Sequence, residues 1–183
     1  MRSFVLAVAI GLIGAAIVHV VIIMGIPDLA PRTAWARVSE LGAAGRFREL
    51  TETGKSPSGL AEMNPFLRSA VCVFDATDAP IHVSDEGEPP FWSLSVFDPQ
   101  SNEIFSMNDR SAVERRVDLT LATSTQMTAI SRAKPETPSK SILVELPQPS
   151  GYVVLRTIAE DATWDRTASR FLSSAECAPL ALP

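Results

Sequence analysis

An uncharged apolar run of 23 residues, from Phe4 to Ile26, is the feature that most constrains this chain. At about 1.5 Å per helical residue the run spans roughly 35 Å, more than the hydrocarbon core of a bilayer, which is about 30 Å thick. It predicts an N-terminal transmembrane anchor over residues 1–27. A cleaved signal peptide is the alternative, but its apolar region covers about 7–15 residues and ends at a small-x-small site. The nearest such site, Ala34-Trp35-Ala36, lies beyond the run, which favours an uncleaved anchor.

Small side chains form a strip along the predicted anchor. Ala7, Gly11 and Ala15 recur at every fourth residue, and Gly14 widens the strip. Such a strip allows another helix to approach closely, so these four residues are the candidates for helix packing. The alternative is that they face lipid and have no packing role. His19 is the one ionisable side chain in the run, and the sequence does not indicate its role.

The charges exclude some classes of function. All charged residues except Arg2 lie at or after Asp28, so 15 basic and 21 acidic side chains give residues 28–183 a net charge of −6. An acidic domain argues against binding of nucleic acid. The two His and two Cys show no spacing typical of metal ligands, and we expect no metal and no cofactor.

Beyond the anchor, residues 28–66 predict a juxtamembrane helix followed by a linker. Trp35, Val38 and Leu41 recur at helical spacing, Phe47 and Leu50 resume the pattern after two glycines, and residues 51–66 are rich in Gly, Pro, Ser and Thr. From Ala70 onward apolar and polar residues alternate, as is typical of strands. The predicted strands are 70–74, 80–83, 91–97, 103–107, 117–121, 141–146 and 152–158.

We therefore predict an α+β, mainly β, domain over residues 67–183, built as an antiparallel sheet or sandwich with short covering helices. One helix begins at the Thr123–Gln126 capping box. A second runs from about Asp161 to Ala175 and carries an apolar stripe that should cover the sheet. The stripe consists of Trp164, Ala168, Phe171, Leu172 and Ala175.

The two cysteines provide information on the cellular compartment of the domain. Burial of the stripe of the second helix would bring Cys177 back toward the strand that carries Cys72, and neither cysteine belongs to a CxxC or nucleophile motif. A disulfide between them would require an oxidising compartment, which fits a periplasmic domain anchored in the bacterial inner membrane. The alternative is two buried free thiols in a cytoplasmic domain, and the charges flanking the anchor decide the orientation only weakly.

Several segments together resemble a known family. They are the N-terminal anchor, AVCVFD (70–75), PPFWSLSVFDPQSNEIFSMNDR (89–110), SILVELP (141–147), GYVVLRTI (151–158) and AEC (175–177). The chain resembles, over roughly residues 1–178, the small membrane-anchored alphaproteobacterial members of the domain-of-unknown-function family numbered 1254. The resemblance implies an envelope protein and no established reaction. It also favours the disulfide, because both cysteines lie where small members of the family look similar.

Polar residues around one predicted hairpin are the weak candidates for catalysis. Asp98 lies at the turn, and Asn108, Asp109 and Arg110 end the second strand. Carboxylates beside an Arg could position a substrate or transfer protons, but Asp and Asn are also turn-forming residues. The chain contains no GxSxG, GxGxxG, HExxH or Walker motif.

Two hypotheses about function follow. The favoured one is a bitopic inner-membrane protein whose periplasmic domain is a non-catalytic binding or accessory module of an envelope complex. It binds a partner protein, which is the favoured partner, or a lipid or a wall component. Such a module could use an exposed aromatic patch near Phe91, Phe97 or Phe105. The alternative is an envelope hydrolase or ligand-processing enzyme that uses Asp98 and the Asn108–Arg110 triplet. Catalysis requires those groups to converge in one concave site.

Overall fold

The structure, a computed structural model, describes residues 1–29, 34–40, 45–50, 66–133 and 141–181. The chain divides into two compact units, Met1–Thr33 and Ala34–Pro183. The first unit is one helix, α1, Arg2–Leu29, whose stretch Arg2–Ile26 is long and apolar enough to cross a membrane. Such a helix is compatible with a single-pass anchor or with a signal sequence.

The predicted packing strip lies on the surface of α1. Ala7, Gly11, Gly14 and Ala15 are all exposed. A Cβ added at Gly11 or Gly14 would meet no other atom within 4 Å. A helix partner for this strip stays a prediction.

The second unit contains nine strands and three α-helices among its described residues. In chain order these are α2 (Ala34–Glu40), β1 (Arg48–Leu50), β2 (Leu67–Asp75), β3 (Ile81–Asp85), β4 (Trp92–Phe97), β5 (Glu103–Asn108), a 3-10 turn (Val113–Arg115), β6 (Val117–Thr123), α3 (Ser124–Ala133), β7 (Ile142–Leu146), β8 (Ser150–Ile158), α4 (Ala162–Ser174) and β9 (Glu176–Pro179).

The strands form two sheets that confirm the predicted fold class. The five-stranded sheet has the order β1-β2-β8-β4-β5 and is antiparallel throughout. The four-stranded sheet has the order β7-β6-β3-β9. Its strands β6 and β7 are parallel, a pairing that the sequence analysis did not predict and that α3 makes possible as the crossover connection.

The main core lies between the inward faces of the two sheets. The alternation predicted for β4 holds, because Trp92, Leu94 and Val96 are each no more than 1% exposed. The core also includes the apolar side chains of β3, β6 and α4. Among its largest fully buried members are Phe74, Val83, Leu119, Leu121, Leu155 and Leu172.

The disulfide is confirmed and joins the two sheets. Cys72 lies on β2 of the five-stranded sheet, Cys177 lies on β9 of the four-stranded sheet, and their Cα atoms are 6.6 Å apart. Both cysteines are at most 1% exposed. The bond therefore crosses the core and holds the end of the described chain against the sandwich.

Two short strands depart from the predicted elements. Arg48–Leu50 was expected to continue a helix, but it pairs with β2 through contacts such as Leu50 with Ser69. Glu176–Pro179 was not predicted and pairs with β3. Both α2 and β1 belong to the second unit, so the described parts of residues 28–66 include elements of the folded domain. Of the predicted linker over 51–66, residues 51–65 lie outside the described residues.

Both predicted helices of the domain begin at side-chain caps. At the start of α3, the Gln126 Oε1 accepts a hydrogen bond from the Thr123 N–H at 2.9 Å, as the capping box requires. At α4, the Asp161 carboxylate accepts from the N–H groups of Thr163 at 2.7 Å and Trp164 at 3.2 Å. These hydrogen bonds satisfy backbone donors that lack partners within a helix.

Candidate functional site

The predicted polar residues lie at opposite ends of the β4–β5 hairpin. Asp98 follows β4 and begins the turn, whereas Asn108 ends β5 and Asp109 follows it. Because a strand rises about 3.3 Å per residue, the six-residue strands separate these ends by roughly 16–20 Å. The structure therefore does not bring Asp98 together with the Asn108–Arg110 triplet.

Asp98 is a turn-forming residue. It is 7% exposed, and its carboxylate accepts hydrogen bonds from the Asn102 backbone N–H at 2.8 Å and side-chain amide at 2.9 Å. Burial acts to raise its pKa, but the hydrogen bonds from Asn102 and Gln100 outweigh burial and lower the pKa of Asp98. A carboxylate held ionised by its own turn stabilises the hairpin and is not available as a general acid near neutral pH.

Asn108 begins the turn that follows β5, and Arg110 belongs to this turn. The Asn108 Oδ1 accepts hydrogen bonds from the N–H groups of Arg110 at 2.9 Å and Ser111 at 3.1 Å. The Arg110 side chain is exposed. The carboxylate of Asp109 pairs with a different arginine, Arg115, with 2.7 Å between Oδ2 and Nη2.

Asp109 and Trp92 are buried, and both contact Arg115, whose side chain is 66% exposed. Asp109 is 3% exposed, and the Trp92 indole N–H donates to the carbonyl oxygen of Arg115 at 3.0 Å. The backbone φ is +54° at Glu114 and +60° at Arg115, in the left-handed region that costs energy for residues other than glycine. The ion pair of Arg115 with Asp109 and the hydrogen bond from Trp92 to its carbonyl oxygen hold this 3-10 turn against the β4–β5 hairpin. The other carboxylate oxygen of Asp109, Oδ1, has no hydrogen-bond partner among the described residues.

A histidine and an aspartate pair across the four-stranded sheet. The His82 Nε2 on β3 lies 3.0 Å from the Asp118 Oδ1 on β6, and their side chains are 29% and 34% exposed. The sequence does not reveal this pair, because the two residues are 36 positions apart and only the pairing of β3 with β6 brings them together. In the described part of the chain, no cluster of three or more His, Cys, Asp or Glu side chains could hold a metal ion.

A buried carboxylate that the sequence analysis missed joins β3 to α4. Asp85 is 4% exposed and accepts hydrogen bonds from the Gly87 N–H and, at 2.9 Å, from the Ser174 hydroxyl. Burial raises the pKa of Asp85, against the hydrogen bonds from Gly87 and Ser174 that lower it. Since both oxygens face the protein's own donors, this carboxylate connects two elements and is not open to a substrate.

An aromatic groove lies where β4 begins and β8 ends. It has a volume of about 230 Å³ and is lined by Pro90, Phe91, Ile158, Glu160 and Trp164. Trp164 is 40% exposed, so its predicted place on the buried stripe of α4 is wrong. The remaining members of that stripe are buried. Trp164 lies in the first turn of α4, beside the end of β8 and the residues that precede β4.

The other predicted aromatic positions do not line this groove. Phe97 stacks on Tyr152 with 5.1 Å between ring centroids. Phe105 is partly buried against the main core. Of the three positions, Phe91 alone lines the groove, and we name this feature the Phe91–Trp164 groove.

The chain is similar in fold to a solved structure. The VPA0106 protein from Vibrio parahaemolyticus matches with a TM-score of 0.59 and 11% identity over 81% of this chain and 35% of that chain. An uncharacterized protein from Burkholderia cenocepacia matches with a TM-score of 0.49 and 13% identity over 82% of this chain and 41% of that chain. The chain thus spans less than half the length of these structures. No family model matches the chain, and no curated protein matches its sequence. At such identities, the likeness to the Vibrio protein shows the fold alone.

Proposed function

We propose that this chain is a small alphaproteobacterial member of the family numbered 1254 and a bitopic protein of the bacterial inner membrane. In this proposal α1 spans the membrane once, and the sandwich lies in the periplasm as a non-catalytic binding or accessory domain. Its partner is a protein of the cell envelope that contacts the Phe91–Trp164 groove.

The Cys72–Cys177 disulfide is the observation that supports the periplasmic location. Disulfides persist in oxidising compartments and are rare in the cytosol. This bond joins both sheets through a fully buried position, so it belongs to the framework of the fold. In the sequence, this domain follows a helix apolar enough to span a membrane. A domain built on such a bond and preceded by such a helix fits attachment to the outer face of the inner membrane.

The Phe91–Trp164 groove supports the binding role. Exposed aromatic side chains are enriched where proteins bind partners. Pro90 lines both the groove and a cleft of about 310 Å³ whose other lining residues include Glu88, Glu114 and Arg115, and Glu160 gives the groove itself a negative charge. This charge is complementary to a partner segment that carries an apolar side chain next to Lys or Arg.

A topology fusion tests the membrane part of the proposal. A reporter that is active only in the periplasm is fused after Pro183, and the same position receives a reporter active only in the cytoplasm. We expect activity of the periplasmic reporter and none of the cytoplasmic one. The opposite pattern would reject the periplasmic location.

Co-purification from native membranes in mild detergent tests the binding part. A protein retained by the wild-type chain should be lost from Trp164→Ser and from Glu160→Lys. It should be kept by the control Leu143→Ser, which removes an apolar side chain that is 44% exposed on another strand. Equal retention by all four chains would reject the groove as the contact surface, and equal loss from the control would show that retention is not specific.

A further inference from the structure

An arginine lies between two serines on the outward face of the five-stranded sheet. The register places Ser69 of β2 opposite Arg156 of β8, and Arg156 opposite Ser93 of β4. Directly opposed residues of antiparallel strands point to the same face, with their Cβ atoms about 4.5–5.5 Å apart. The three side chains therefore form one polar row across three neighbouring strands.

Next to this row is a cavity between the sheet and α2. It has a volume of about 190 Å³, and its lining side chains are aliphatic or aromatic except for Ser69 and Arg156. Ala34 and Val38 of α2 form one wall. The sheet contributes the others, Leu50, Val71, Phe97, Tyr152 and Val154.

The polar groups at this cavity lack partners within the described residues. Ser69 is 1% exposed, and its hydroxyl makes no hydrogen bond. No hydrogen bond or ion pair joins the half-buried Arg156 side chain to another described residue. An unpaired buried hydroxyl and a partly desolvated guanidinium are both unfavourable unless a ligand satisfies them.

We propose that this cavity binds a short single-chain fatty acid. The carboxylate accepts hydrogen bonds from the Arg156 guanidinium and the Ser69 hydroxyl, and the methylene chain packs along Val71 and Val154. Arginine is suited to this task because its planar N–H groups match a carboxylate. The volume is smaller than the roughly 300–1,000 Å³ of sites for drug-sized ligands, so a short chain is the appropriate occupant.

Octanoate is a suitable probe, and octanol is its uncharged counterpart. The full-length chain is placed in nanodiscs of zwitterionic lipid, and binding of labelled octanoate is measured by equilibrium dialysis against empty nanodiscs. We expect one saturable site above the background of the empty discs. Arg156→Gln should weaken octanoate binding about tenfold to a hundredfold, since it removes a hydrogen bond to a charged group. Ser69→Ala should weaken it about twofold to tenfold.

Two controls separate recognition of the head group from general damage. Arg170→Gln changes an exposed arginine on α4 and should leave octanoate binding unchanged. Octanol binding should be the same in the wild-type chain and in Arg156→Gln. A further measurement uses the wild-type chain alone. In thermal unfolding, octanoate should raise the melting temperature of the wild-type chain more than octanol does.

Several results would overturn the proposal. They are the absence of saturable octanoate binding above empty nanodiscs, equal octanoate affinity in the wild-type chain and Arg156→Gln, and a parallel loss of octanol and octanoate binding in that variant. If Arg156→Gln does not fold, the melting temperature of the wild-type chain decides. An equal response to octanoate and octanol would then reject recognition of the carboxylate.

Discussion

Removal of the disulfide is expected to cost a large part of the stability of the domain. The bond joins residues 105 apart in the sequence, and the chain-entropy model gives about 4.8 kcal/mol for a loop of that length. Replacing a fully buried cysteine by alanine adds a packing loss of about 1 kcal/mol. The expected total is about 5–6 kcal/mol, against a net stability of about 5–15 kcal/mol for a typical domain.

The test compares Cys72→Ala, Cys177→Ala and the double variant by thermal unfolding of the full-length chain in detergent. A domain of 150–250 residues shifts its melting temperature by about 2–4 °C per kcal/mol, so each single variant should unfold about 10–24 °C below the wild type. The double variant should unfold within a few degrees of the single variants, because the first substitution has already removed the bond.

Reduced wild-type protein serves as the control that separates the cross-link from the packing. It is unfolded and refolded in reductant, keeps both sulfur atoms, and should unfold close to the double variant. Two results would refute the reasoning. One is a melting temperature that reductant leaves unchanged after refolding, and the other is a double variant that loses about twice as much stability as either single variant.

Three further substitutions and one matched control test individual contacts by urea and thermal unfolding. Arg115→Ala should lower stability by about 1–3 kcal/mol because it leaves the buried Asp109 carboxylate unpaired. The matched variant Arg110→Ala changes an exposed side chain and should shift stability by less than about 0.5 kcal/mol; equal effects would contradict the pairing. Gly151→Ala should cost about 1–3 kcal/mol, since its methyl group would overlap a backbone oxygen and an aromatic ring; an unchanged midpoint would show that the backbone moves freely there. Asp85→Asn should raise the melting temperature at neutral pH and not below about pH 4. Burial raises the pKa of Asp85 in the folded state, so stability falls as the pH rises through that pKa, and a constant difference at all pH values would contradict this.

The fold class and most strands were predictable because apolar alternation reports which face of a strand is buried. On β4 the alternation of Trp92, Leu94 and Val96 with serines gave both the strand and its inward face. The short strands β1 and β9 were not predictable, since three or four residues show no period. They are strands because of pairing with β2 and β3, which are distant in the sequence. The parallel β6–β7 pair is likewise a property of tertiary packing.

The candidate sites were less predictable than the fold, because each depends on register. The turn residues Asp98 and Asn108 carry the residue types of a polar site, but their side chains bind their own backbone. Trp164 matched the helical stripe but lies past the strand ends. Arg156 has no motif in the sequence around it, and its serine neighbours are known only from the pairing of β2, β8 and β4.

The inward face of the five-stranded sheet determines where the proposed fatty-acid site can lie. On β8, Val153 and Leu155 are fully buried in the main core, while Val154 and Arg156 alternate with them on the outward face. If β8 slipped by one residue against its neighbours, its inward and outward side chains would exchange faces. The Arg156 guanidinium would then be buried in the core, at a cost in stability of several kcal/mol. The Cys72 side chain opposes Val153 and is bonded to the other sheet, so the disulfide also opposes such a slip. A chain without the disulfide that still folds in this register should therefore keep its affinity for octanoate, even though its melting temperature falls.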